Sequence, residues 1–240
     1  MKVLLGEFTG CRVPRLQAMG WGRMMIERPF TPYAWEPWAL DNGAYRMFRA
    51  GAPYVWTKFD DQLARLDAEL LSGRLTPPMF AVLPDCVGDA RASLRLTIEW
   101  LERASWTRPG LVGPPEWGAA PFDRFWIPRA MAVQDGMTTA DLEAKVGGVP
   151  LICYFDWLFL GGSTEFKYRT APEWRALLNH WGGRFHYGRA GTLRKLEHAY
   201  SVGADSCDSA FPMWTDERWS RFERAWTRLG HPRPQLELIA

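Results

Sequence analysis

Phe185-His186-Tyr187-Gly188-Arg189-Ala190-Gly191-Thr192-Leu193-Arg194-Lys195-Leu196-Glu197-His198-Ala199-Tyr200-Ser201-Val202-Gly203-Ala204-Asp205-Ser206-Cys207 reads as strand, helix and strand in immediate succession. Phe185–Tyr187 is a short, mostly apolar run closed by Gly188, which suits a strand better than a helix. Thr192 offers a capping oxygen, Leu193, Leu196 and Tyr200 share one helical face, and Gly203 stops the helix. Ala204–Cys207 then resumes a strand.

The same unit recurs outward from this stretch. The other short apolar runs are Val3–Gly6, Met24–Ile26, Trp38–Leu40, Phe80–Leu83, Ala130–Val133 and Leu151–Leu160, each followed by a polar or glycine-rich turn. Between them Phe59, Leu63, Leu66 and Leu70 fall on one helical face, as do Leu94, Ile98 and Leu101. Trp219, Phe222 and Trp226 mark a last helix over Thr215–Leu229. About eight strand-then-helix units predict an α/β fold, a single (β/α)8 barrel of the TIM type spanning residues 1–240. A doubly wound open sheet is the alternative, because Met24–Ile26 is a weak strand. The Pro- and Gly-rich stretches Arg108–Pro121 and Gly147–Pro150 read as loops within the one domain.

Composition agrees with this. The 240 residues are 47% hydrophobic, 23% charged and 14% aromatic, which supplies one large core and excludes disorder. No stretch approaches the ~18 apolar residues of a membrane helix. Met1–Glu7 is charged too early for a signal peptide, so the expectation is a cytoplasmic protein without a membrane partner. Lys+Arg (29) and Asp+Glu (27) nearly cancel, so charge alone does not declare a nucleic-acid partner. Cys11, Cys86, Cys153 and Cys207 lie too far apart for a zinc knuckle, so neither a metal nor a cofactor is expected.

Chemistry in such a barrel sits where the strands end. The strand ends carry Asp41-Asn42-Gly43-Ala44-Tyr45, Asp85-Cys86, Gln134-Asp135, Gly161-Gly162-Ser163-Thr164-Glu165, His186-Tyr187-Gly188-Arg189 and Asp205-Ser206-Cys207-Asp208. One aspartate after a strand commonly caps a helix. Carboxylates, an amide and a glycine pair converging on one rim instead predict an active site. HExxH, a Walker loop, GxGxxG and Gly-x-Ser-x-Gly are all missing, which leaves carboxylate chemistry at a glycosidic carbon.

Leu40-Asp41-Asn42-Gly43-Ala44-Tyr45-Arg46 resembles the Asp-Ser-Gly-(Gly/Ala)-(Phe/Tyr)-Gln segment of tRNA-guanine transglycosylases, and Gly203-Ala204-Asp205-Ser206-Cys207-Asp208-Ser209-Ala210 resembles their nucleophile segment. Asp85-Cys86, Val133-Gln134 and Leu160-Gly161-Gly162 follow the family's order between them. The resemblance implies Asp208 as the nucleophile at C1′ and Asp41 as the proton-transfer group. It implies Asp85, Gln134, the backbone of Gly161 and Gly162, Tyr45 and Glu165 around the base, with Asp205 structural. Glu165 stands at a different spacing from the family's glutamate, Asn42 replaces the usual Ser, and Arg46 the Gln.

The family's CxCxxC…His zinc subdomain is not matched, since His231 is the one later candidate ligand besides carboxylates. A zinc-free barrel is similar to the DNA-modifying branch, the phage and bacterial deazapurine DNA transglycosylases, which protect DNA from restriction. That implies replacement of guanine in DNA by a free 7-deazaguanine such as preQ0 or preQ1, through a covalent aspartyl-glycosyl intermediate. Arg46, Lys167, Arg169 and Arg189, with Arg49 and Arg194, are the candidate nucleic-acid contacts, and Tyr45, Phe48 and Tyr187 the candidate stacking rings. The alternatives are action on tRNA, a nucleoside-type glycosidase, and a silent barrel that binds modified bases; loss of Asp208 would have marked the last.

Overall fold

A computed structural model describes residues 1–6, 13–26, 32–55, 57–103 and 127–230. Cys11, the 108–121 loop and His231 lie outside the described residues. The elements in chain order are β1 (Lys2–Leu5), α1 (Val13–Met19), β2 (Gly22–Met25), β3 (Trp38–Leu40), α2 (Ala44–Arg49), α3 (Thr57–Leu71), β4 (Ala81–Val82), α4 (Ala90–Arg103) and β5 (Arg129–Val133). They continue with α5 (Thr139–Glu143), β6 (Lys145–Val146), β7 (Val149–Pro150), β8 (Trp157–Leu160), α6 (Thr164–Trp181), β9 (Arg184–Tyr187), α7 (Leu193–Ser201), β10 (Ser206–Ser209) and α8 (Asp216–Arg228). Eight strands close into an all-parallel barrel in the order β1-β10-β9-β8-β5-β4-β3-β2, with β6 and β7 a small antiparallel hairpin outside it. This is a (β/α)8 barrel of the TIM type. The open sheet is excluded by the direct pairing of β1 with both β2 and β10.

Most barrel strands are largely apolar because both of their faces are covered. Alternate residues point inward, where Leu4, Met24, Ala39, Phe80, Val82, Ala130, Ala132 and Trp157 fill the barrel. The residues between them, such as Val3, Leu5, Met131, Val133, Leu158 and Cys207, face the helices. There Trp21, just before β2, packs its ring 5.3 Å from Trp219 and 5.4 Å from Phe222 of α8. Trp21 is fully buried, so Trp21→Ala should cost about 3–5 kcal/mol, measured as a lower denaturation midpoint with an unchanged denaturant slope.

Three strands differ from the sequence reading. The second runs over Gly22–Met25 rather than Met24–Ile26, because Leu4 and Leu5 pair with Gly22 and Arg23. Within Leu151–Leu160 only Trp157–Leu160 is strand; Leu151–Tyr154 is a 3-10 turn, and the Asp156 carboxylate takes the Arg129 amide at 3.0 Å where the strand begins. The last strand is Ser206–Ser209 rather than Ala204–Cys207. Its polar residues are tolerated because Ser206 and Asp208 bond to His186 inside the barrel. Pro172 lies inside α6, the long helix that apolar spacing had not marked. Among the described residues no helix is long and apolar enough to cross a membrane.

Candidate active site

Six adjacent barrel strands, β3, β4, β5, β8, β9 and β10, carry the polar residues at their C-terminal ends. Asp41 follows β3 in step with the inward-facing Ala39, and Gln134 follows β5 in step with Ala132, so both continue the interior rows to the mouth. Asp208 belongs to β10 itself, paired in register with Leu4 of β1.

The two carboxylates expected to do chemistry differ in environment. His186 Nε2 bonds Asp208 Oδ1 at 3.0 Å and the Arg189 amide donates to the same oxygen at 2.7 Å. Burial alone would push the Asp208 carboxyl up, but the His186 bond and charge, the Arg189 N–H and the Lys167 charge together hold it below the ordinary range. Asp41 is half-buried, and its carboxylate accepts the Gly43 amide at 3.1 Å. Burial, reinforced by the negative charges of Asp208 and Asp85, raises its carboxyl to about 7. One group is therefore an anion across the physiological range, while the other holds or releases a proton near neutrality.

His186 is the functional residue that sequence reading passed over, being treated as part of a strand end. It is fully buried, its ring stacked 4.8 Å from Phe159 and set edge-on 5.0 Å from Phe80, with Nδ1 2.8 Å from Ser206 Oγ. An ionised Asp208 can only accept, so Nε2 carries a proton, while Nδ1 faces the Ser206 hydroxyl, which can donate or accept. The signal available was its position, two residues before Gly188 on an inward row.

Asp85 and Gln134 come together as expected. Asp85 is 4% exposed and takes Asn42 Nδ2 at 2.7 Å and Gln134 Nε2 at 2.5 Å. Burial lifts its carboxyl to about 6 despite those two bonds. Asn42 also donates to Leu83 O and accepts from the Ala44 amide, tying the ends of β3 and β4 together. Gly161 touches this group closely: a Cβ there would stand 2.6 Å from Gln134 Nε2, so any side chain would displace the amide. Its own N–H bonds Val133 O and Phe159 O, each at 3.0 Å, so the expected backbone donor at Gly161 is spent on the barrel. Gly162 lies against Asp135, which clamps the Ser163 amide at 2.7 Å. Tyr54, not singled out in the sequence, has a buried hydroxyl with no hydrogen-bond partner among the described residues, and the charges of Asp85 and Asp41 bear on it.

At the rim the Arg189 guanidinium lies 3.7 Å above the Tyr45 ring, and exposed Phe48 stacks on Tyr45 with centroids 6.3 Å apart. Beyond β10, Trp214 is 63% exposed with Arg218 4.5 Å above it, an aromatic that sequence reading had not marked. Arg46, Arg49, Arg169 and Arg194 are exposed, as is Glu165 in the first turn of α6. Two further expectations are corrected. Lys167 is 2% exposed with its ammonium bonded to Gly188 O, so it cannot meet a nucleic-acid strand. Tyr187 is fully buried on the outer face of β9 against His198, so it packs the core and stacks on no base. Asp205 is structural, accepting from the Phe185 amide at 2.8 Å and Arg175 at 3.0 Å.

Among the described residues no group of three or more His, Cys, Asp or Glu is arranged to hold a metal ion. Compared with known proteins, the chain matches no family model and no curated protein at a significant level.

Proposed function

We propose that this barrel is a base-exchange transglycosylase acting on a nucleic acid, with DNA as the polymer and a free 7-deazaguanine as the incoming base. The observation that carries the reading is the split between two carboxylates at one barrel mouth: Asp208 held ionised, Asp41 raised to about 7. A nucleophile must be an anion and a proton carrier must titrate near working pH. The target nucleotide is flipped into the mouth, at a cost of a few kcal/mol in stacking. An Asp208 oxygen forms a bond to C1′ as the C1′–N9 bond breaks, and the electron pair leaving with the base takes the Asp41 proton. In the second step the incoming base gives its N9 proton to the Asp41 carboxylate and its N9 bonds C1′. The pair in the C1′–O bond returns to Asp208, and two inversions restore the original configuration.

Asp85 and Gln134, bonded to each other at the mouth, offer a carboxylate acceptor and an amide, the groups that suit the N–H donors and carbonyl of a guanine-like edge. The Arg189–Tyr45–Phe48 stack and the Trp214–Arg218 pair supply rim surfaces of the kind that grip unpaired nucleotides. Incubation of the protein with labelled guanine and, separately, duplex DNA, single-stranded DNA and tRNA tests the reading. Label should enter DNA without release of abasic product. Label entering tRNA alone moves the activity to RNA, abasic sites without label indicate a glycosidase, and binding without exchange indicates a silent binder.

A further inference from the structure

Lys167 is a buried cation in an unusual place. Ser163 caps α6 by accepting the Phe166 amide, and the first turn directs Lys167 inward to 2% exposure between the helix and β9. Its Nζ donates to Gly188 O and lies 5.5 Å from the Tyr187 ring centroid. Among the described residues no carboxylate lies within ion-pair distance of it. A buried ammonium with no carboxylate in contact is expensive, and an apolar residue of the same length would serve packing better.

The carbonyl it grips belongs to the same peptide unit as the N–H that holds Asp208. Gly188 contributes the C=O, and Arg189 contributes the N–H that reaches Asp208 Oδ1 at 2.7 Å. This peptide is held by contacts on both sides. The Gly188 amide donates to Leu160 O at 3.1 Å, and a Cβ on Gly188 would lie 2.6 Å from the Phe159 ring. The Ala190 amide donates to Asp208 O at 2.7 Å, closing the loop on the same residue. Arg189 has φ 57°, the left-handed region, and is the one residue other than glycine there among the described residues. Such strain persists where surrounding contacts fix the backbone.

We propose that Lys167 is a positioning residue, whose ammonium polarises the Gly188–Arg189 peptide so that its N–H holds Asp208 ionised and in a single orientation. An ammonium on the carbonyl draws electrons through the amide and makes its N–H a stronger donor, an effect that grows where water is excluded. The groups facing Asp208 are His186, the Arg189 amide and Lys167, with Asp41 opposing them. Lys167 is itself faced by Asp208 and Asp135, which favour its charge, and by Arg189 and Lys195, which oppose it. Burial brings it down to about 7, so the clamp weakens as pH rises past neutrality. The inference rests on the transglycosylase reading only for its effect on rate, since the electrostatic coupling can be measured without substrate.

The test titrates the two groups directly by NMR: the Asp208 side-chain carbon in the wild type and in Lys167→Met, and the Lys167 ammonium in the wild type and in Asp208→Asn. Lys167→Met should leave the fold intact, and its Asp208 should titrate about one pH unit higher. In Asp208→Asn the Lys167 ammonium should titrate lower by a matching amount, because coupling between two sites is reciprocal. This second titration carries the test even if Lys167→Met does not fold. Unmoved titrations overturn the clamp whatever the activity. Should both move while the wild type exchanges no base on any nucleic acid, the proposed function falls and the clamp stands. With exchange present, Lys167→Met should lower kcat about tenfold near pH 6 with KM for the nucleic acid little changed.

Discussion

If the barrel exchanges bases as proposed, Asp208→Asn should slow the exchange roughly 10⁴-fold or more, and no covalent protein–nucleic acid adduct should accumulate. The substitution keeps the shape of the site, since an amide oxygen can still accept from His186 Nε2 and the Arg189 amide that now meet Oδ1. What it removes is the anion. The variant should therefore melt within a few degrees of the wild type and still bind nucleic acid, which separates loss of the nucleophile from loss of fold. Trapping the intermediate in a denaturing gel, wild type against variant, is the direct measurement. Exchange at a rate near that of the wild type would remove Asp208 from the role of nucleophile.

Asp41→Asn should produce the second large effect and separate activity from stability. Without a proton to give or take, exchange should fall by about 10²–10⁴-fold. In the wild type, kcat/KM for the nucleic acid should decline above about pH 7, as Asp41 loses the proton that the departing base needs, and the variant should lack that limb. Stability moves the other way. The carboxyl is raised on folding, chiefly by burial, so the folded chain holds a proton that the unfolded chain has already released. Stability from this group is complete below the ordinary carboxylate range and is lost as pH rises to about 7. Asp41→Asn has no such penalty, so it should be more stable than the wild type by roughly 1–3 kcal/mol at pH 8 and by nearly nothing at pH 4. Paired thermal melts at the two pH values check this. A variant destabilised at pH 8 would contradict the buried, repelled carboxylate at Asp41.

Much of the barrel was legible because its physical signature is local. Helical spacing placed α3, α4, α7 and α8, whose apolar faces press on the barrel, and short apolar runs placed most strands. The helix α6 escaped notice since Pro172 reads as a break in the sequence, although the helix runs through it, and its buried stripe mixes Thr170 and Lys167 with Phe166, Trp174 and Leu178. The last strand was placed two residues early because Ser206 and Asp208 break the apolar run. Their partner, His186, lies 20 and 22 residues away in sequence.

The same division holds at the site. By itself the sequence determined that strands and helices alternate around a parallel barrel, and which acidic, amide and glycine residues end the strands. Whether a given side chain enters the barrel or faces the helices was decided only by closure of the sheet. His186 and Tyr187 are neighbours in the chain, yet one bonds Asp208 inside the barrel and the other is sealed beneath α6 and α7. Lys167 reads as a surface cation and becomes a buried one, because the first turn of α6 directs it toward the end of β9. Strand period and helix period fix which residues share a face. Only the packing of one element on another fixes which face looks at Asp208.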